Sequence, residues 1–181
     1  MNKTEYEKFK ALSLEMLEKA QIILTEEEKG KIEVADFGLN KPKVTGLQLI
    51  TYVNTEHCCA KDLVLLPNQT CPEHKHPPRG FDEGKEETFR CRYGKVYLYV
   101  EGDGDANSIQ TQPPTGDEKY YTVFNEIILT PGEQYTIYPN TLHWFKAGKE
   151  GAIISEFSTK STDESDIFTD SRIERIPEIT D

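Results

Sequence analysis

The chain predicts an all-β fold, a two-layered sandwich or jelly-roll barrel, with a helical extension at its start. Three observations predict it. The hydrophobic period is helical before about residue 40 and strand-like after it. Seven or eight short segments rich in Val, Ile, Tyr, Phe and Thr then follow, separated by Gly, Pro and Asn turn residues. At 181 residues the chain has the length of one domain with a substantial core.

In residues 4–24, Phe9, Leu12, Met16, Leu17 and Ala20 recur at helical spacing, and Thr4-Glu5-Tyr6-Glu7 reads as the capping box that opens the helix. Thr25 with Glu28 is a second cap, opening a short polar segment that Asp36-Phe37-Gly38 ends. Strands are expected at 46–53, 63–66, 88–93, 95–100, 120–129, 134–137, 144–146 and 152–157. Residues 102–119, with Asp, Gly, Gln and Pro, read as an exposed loop between two hairpins. The organisation expected is a single domain, 1–181, made of a helical extension (1–40), a barrel (41–157) and a polar tail (158–181). Ile167-Phe168 alone interrupts that tail, which wraps the barrel or a neighbouring subunit.

With 32 acidic against 21 basic residues the formal charge is −11, and the basic residues form no stripe, so nucleic acid and anionic membranes are excluded as partners. No apolar run approaches the roughly 20 residues of a membrane span, and the first residues lack the apolar core of a signal peptide, so a cytoplasmic protein is expected. Cys58, Cys59, Cys71 and Cys91 show no C-x-x-C spacing and read as reduced structural thiols.

The chemistry lies in the histidines. In a strand, His74-Lys75-His76 puts both imidazoles on one side and the lysine on the other. Glu87 follows 11 residues after His76, across a Pro- and Gly-rich loop that turns the chain back. His143 lies in Pro139-Asn140-Thr141-Leu142-His143-Trp144-Phe145, where a tight turn feeds a new strand. His74, His76, Glu87 and His143 are therefore the candidate metal ligands; Glu87 is preferred to Glu86 because only it stands six residues before Gly94. Parity puts Lys85, Glu87, Phe89, Cys91 and Tyr93 on the inner face, and Arg90 and Arg92 outside. His143 and Phe145 share the next inner face. Trp144 points outward, under a helix or at an interface. One register of 152–157 turns Glu156 inward with Ala152 and Ile154, where it pairs with Lys85 or an arginine, or shuttles a proton.

This run of ligands and glycines resembles the paired motifs of the cupin superfamily, G-x5-H-x-H-x3,4-E-x6-G and G-x5-P-x-G-x2-H-x3-N. Here the gap to the glutamate is longer, Asn140 stands in for a glycine and the final Asn is missing. A longer gap lengthens a hairpin loop, and Asn tolerates a left-handed backbone. The fold implied is an all-β, cupin-type double-stranded β-helix. Residues 70–78, 84–94, 139–145 and 166–170 together resemble the cupin-type D-lyxose isomerases, over about residues 15–172. The resemblance implies a divalent metal, usually manganese, on His74, His76, Glu87 and His143, with Zn2+, Co2+ or Fe2+ as alternatives. It also implies interconversion of D-lyxose with D-xylulose, and of D-mannose with D-fructose as a related pair. Glu156 as base and Lys85 as hydrogen-bond donor follow from parity combined with the resemblance.

Three neutral imidazoles and one carboxylate leave an octahedral ion two open positions, which suit vicinal sugar oxygens. No Gly-rich phosphate loop and no basic cluster is expected on the inner faces, which favours an unphosphorylated sugar. A homodimer is compatible with an outward Trp144 and the long tail. The competing readings are a metal-dependent cupin oxygenase or decarboxylase, and a non-catalytic sugar-binding cupin.

Overall fold

Two long bent strands decide the architecture. The computed structural model describes residues 1–176 and 178–181. After helix α1 (Lys3–Lys19) and the single turn α2 (Glu26–Gly30) come β1 (Glu33–Ala35), β2 (Leu47–Asn54), β3 (Cys59–Leu65) and β4 (Thr70–Lys75). These are followed by β5 (Glu87–Val100), β6 (Asn125–Leu129), β7 (Gln134–Ile137), β8 (His143–Ser158) and β9 (Ile167–Phe168). All pairings between them are antiparallel.

β5 and β8 each pass through both layers of the barrel. The first half of β5 pairs with β7 and the second half of β8, which continues through β3 and β2 to β1. The second half of β5 pairs with β6 and the first half of β8, which continues through β4 to β9. Sequence reading expects two strands each at 88–100 and 144–157, because Gly94 and Gly148-Lys149-Glu150-Gly151 look like turns. Instead the pairing runs through with register shifts, and Gly94 (φ +70°) and Gly151 (φ +81°) face each other across the bend. A Cβ on Gly94 would sit inside the Gly151 carbonyl oxygen. These glycines bend a continuous strand where a turn is expected.

The core lies between the layers, with Leu47, Leu49, Leu63, Phe89, Cys91, Leu98, Phe145 and Ile154 among its members. Each outer face has its own cover. Helix α1 lays Leu17 on Ile50, Val64 and Ile153, and Phe9 on Val34 and Leu66; burying each of these anchors contributes roughly 1.5–3 kcal/mol. Its cap is Asn2, whose side chain accepts from Glu5 N, where Thr4 is expected. The Thr25–Glu28 capping box is present as expected.

On the other outer face Trp144 stacks on Tyr99 at 3.9 Å between ring centroids and donates Nε1–H to the Val123 carbonyl. The 102–119 loop, expected to be exposed, covers it with Ile109, and Tyr121, expected in a strand that begins only at Asn125, covers it from the stretch between. Trp144 thus points outward but is fully buried by its own chain, and it lends no argument to a dimer. Tyr93 also departs from strict alternation. The register shift between Cys91 and Tyr93 turns its ring out against α1, beneath Lys19. Among the described residues no helix is long and apolar enough to cross a membrane.

Candidate metal centre and active site

His74 lies near the end of β4 and pairs in register with His143, the first residue of β8. His76 follows β4 directly, and its carbonyl accepts from Asn140 N. That residue has φ +59°, the left-handed conformation the sequence requires of it. One ring nitrogen from each of His74, His76 and His143 lies within 4.8 Å of the other two. Glu87, the first residue of β5, brings Oε1 to 3.3 Å from His76 Nε2 and 3.1 Å from His143 Nε2. Glu86 is exposed, and its backbone N–H bonds Thr159 Oγ1.

The second ring nitrogens fix the tautomers. His74 Nδ1 is 2.8 Å from the Pro72 carbonyl and His143 Nδ1 is 2.9 Å from the Thr141 carbonyl. A carbonyl can only accept, so both Nδ1 atoms carry the proton and both Nε2 atoms present a lone pair. His76 Nδ1 is 2.6 Å from Asp166 Oδ1, the carboxylate version of the same arrangement. His143 Nε2 is buried and makes no hydrogen bond, although a carboxylate oxygen is close. A buried ring nitrogen orphaned beside a carboxylate is satisfied by a shared cation, and three imidazoles with one carboxylate fit a divalent transition metal.

Beside this cluster Lys85 Nζ is 2.6 Å from Glu87 Oε2 and 3.1 Å from Glu156 Oε1. Glu156 also accepts from Ser158 Oγ at 3.2 Å. His74, His76, Lys85, Glu87 and Glu156 line one cavity of ≈ 30 Å3, walled by Phe89, Phe145 and Phe168, with His143 packed behind them. Burial opposes the charge on Lys85, but Glu156 and Glu87 outweigh it and hold its ammonium well above the usual lysine range. Burial likewise opposes ionisation of Glu87, and Lys85 and His76 hold it well below the usual carboxylate range. His74, desolvated and facing two other imidazoles, is held well below the ordinary histidine value. His76 is desolvated too, yet Glu87 and Asp166 lift it to about 9.

Over residues 4–181 the chain matches the D-lyxose isomerase family. The chain belongs to that family. It is 63% identical over 181 residues to the D-lyxose/D-mannose isomerase of Thermosediminibacter oceani, covering 100% of this chain and 99% of that one. To the D-lyxose ketol-isomerase of Cohnella laeviribosi it is 61% identical over 179 residues, covering 99% and 98%. Among solved structures, the L-ribose isomerase of Cellulomonas parahominis superposes with a TM-score of 0.80 at 15% identity, covering 100% and 98%. The L-ribose isomerase of Acinetobacter sp. DL28, solved with L-ribose, gives 0.81 at 14%, with the same coverage. At that identity the likeness speaks for the fold, the cupin-type barrel expected from the sequence.

In this D-lyxose isomerase family member, sequence reasoning misses the cavity residues Lys61, Asp163, Asp166, Phe168 and Arg175. Four of them belong to the tail. Its apolar pair Ile167-Phe168 is the available signal: Phe168 stacks on His74 at 5.3 Å and meets Phe37 at 5.8 Å, while β9 pairs with β4. Glu73 fixes the tail from below, accepting from Thr169 Oγ1 and from Thr122 and Val123 of the covering loop. The cavity also overturns the expectation that no basic residues gather on the inner faces, since Lys61, Lys85 and Arg175 all line it. Glu87, Glu156 and Asp163 pair with those three cations, which are therefore matched and form no anion trap.

Proposed function

We propose that this chain is a metal-dependent aldose–ketose isomerase acting on small unphosphorylated sugars, D-lyxose to D-xylulose first and D-mannose to D-fructose second. His74, His76, Glu87 and His143 would hold the divalent cation, manganese first among the candidates. The observation that carries the reading is the gathering of one ring nitrogen from each of three buried histidines beside the Glu87 carboxylate, with the Lys85–Glu156 pair against it. The names of the full-length relatives support the choice of sugar.

A bound cation supplies Lewis acidity toward two vicinal sugar oxygens. The rest falls to the chain. Glu156, an acceptor of two hydrogen bonds on Oε1, takes the proton from C2 of the open-chain aldose, and the freed electron pair becomes the C1–C2 double bond of an enediol. The same carboxyl returns the proton to C1, while the hydroxyl proton passes from O2 to O1. Nothing is oxidised overall, and no co-reactant is needed. Lys85, held as an ammonium, donates to the sugar oxygen on which negative charge develops. The aromatic walls keep bulk water from the reacting carbons.

The test is a panel of free pentoses and hexoses, assayed for ketose formation after chelation and after adding back single divalent metals. D-lyxose is expected to react best, with activity restored by manganese and unchanged under anaerobic conditions. No metal-restorable ketose from any sugar would end the proposal, and a requirement for oxygen would transfer it to the oxygenase class.

A further inference from the structure

Resting on the sugar-isomerase reading, we propose that a second pocket, at the mouth of the barrel, is the subsite for the far hydroxyls of the sugar chain. It is reached through a gate made of Lys61, Asp163 and Arg175. The inner cavity, at ≈ 30 Å3, has room for little more than a water or two. An aldopentose does not fit there. Directly outside lies a pocket of ≈ 280 Å3, lined by Tyr6, Glu33, Thr51, Asn54, Ser161 and Glu164 among others. Lys61, Asp163 and Arg175 line both spaces and form the wall between them.

The side chains of these three residues meet within that wall. Asp163 Oδ2 is 2.6 Å from Lys61 Nζ and 3.0 Å from Arg175 Nη2, and Lys61 Nζ also donates to Ser161 Oγ at 2.7 Å. On the outer side Arg175 pairs with Glu33, a half-exposed residue on β1. Lys61 stands on a rigid central strand, but Asp163 sits in a short 3-10 turn and Arg175 in irregular backbone beyond β9. Two of the three gate members therefore ride on the tail. A sugar hydroxyl both donates and accepts, so it can replace a contact to Asp163 or to either cation without stranding a buried charge.

Strand register supplies the second argument. Thr51 pairs with Lys61, Lys61 with Glu156, and Glu156 with Phe89, giving one transverse row on the inner face that runs from the outer pocket to the candidate base. Adjacent strands lie about 4.8 Å apart, so Thr51 is about 10 Å from Glu156 along this row. A five-carbon chain spans about 5 Å between its end carbons. With C2 at Glu156, its C4 and C5 hydroxyls extend about 4–5 Å along the row, to the level of Lys61, with Thr51 on the next strand beyond.

The decisive variant is Thr51→Phe, at a half-buried strand position that tolerates an aromatic ring. Affinity for D-arabinitol, the reduced and unreactive form of D-lyxose, is measured by calorimetry on the metal-loaded protein, beside metal content and the kinetics with D-lyxose. Expected are an unchanged metal content, at least a tenfold weaker D-arabinitol affinity and a matching rise in KM with a smaller change in kcat. D-arabinitol affinity and KM both unaltered in Thr51→Phe would overturn the subsite while leaving the isomerase reading intact. A metal-loaded parent that neither converts an aldose nor binds D-arabinitol would remove both.

Discussion

The three histidines of the candidate centre hand their Nδ1 protons to Pro72, Thr141 and Asp166, and only the last partner is a side chain. It can be edited without touching a backbone. Asp166→Asn should weaken the grip on His76 and lower metal affinity about 10- to 100-fold, read by competition with a chromogenic chelator. Glu156→Gln keeps the shape and removes the base. It should retain its metal and lose at least about 100-fold in kcat; near-parental turnover would clear the residue of that role. The candidate ligands were legible in the sequence because H-x-H, the following glutamate and the turn before His143 are local patterns whose donor types and strand parity limit the choice. Lys61, Asp163 and Arg175 follow no such pattern. What unites them is proximity around one carboxylate, across more than a hundred positions of chain.

At the level of elements, alternation predicted faces correctly wherever strands were regular. Glu87, Phe89 and Cys91 point inward, as do Ala152, Ile154 and Glu156. It failed at Tyr93, where a register shift inserts an extra step. Strand count failed for a related reason, since a glycine that ends one strand and begins another looks the same in sequence as a glycine that bends one strand. Gly94→Ala tests the bend: the added methyl meets the Gly151 carbonyl in a left-handed backbone. A cost of about 1–3 kcal/mol follows. Thermal denaturation should then fall by about 2–12 °C, and an unchanged midpoint would show that the bend relaxes freely.

For the whole molecule, the formal charge of −11 opposes contact with polyanions but says nothing of the interior, where three cations meet four carboxylates beside the candidate metal position. Four acidic and three basic groups gathered with an orphaned imidazole make the site a place where a divalent cation, once bound, would stabilise the fold. Adding manganese to chelator-treated protein at about 100 times its Kd should contribute about 2.7 kcal/mol. That corresponds to a rise of about 5–10 °C in Tm, and no rise with any divalent metal would count against the four-ligand assignment. The tail contributes at this scale too. It brings Asp163, Asp166, Phe168 and Arg175 to the cavity and divides the space available to a ligand.

The sequence by itself determined the all-β cupin fold, the leading helix and the four candidate ligands. Each depends on period, residue type or short spacing, and a strand imposes these within a few positions. Tertiary structure alone decided that β5 and β8 run unbroken through both layers, that Trp144 is covered by its own loop, and that the tail closes the cavity with matched charges. Those outcomes depend on which distant surfaces find each other once apolar faces are buried, and a linear pattern holds no record of that.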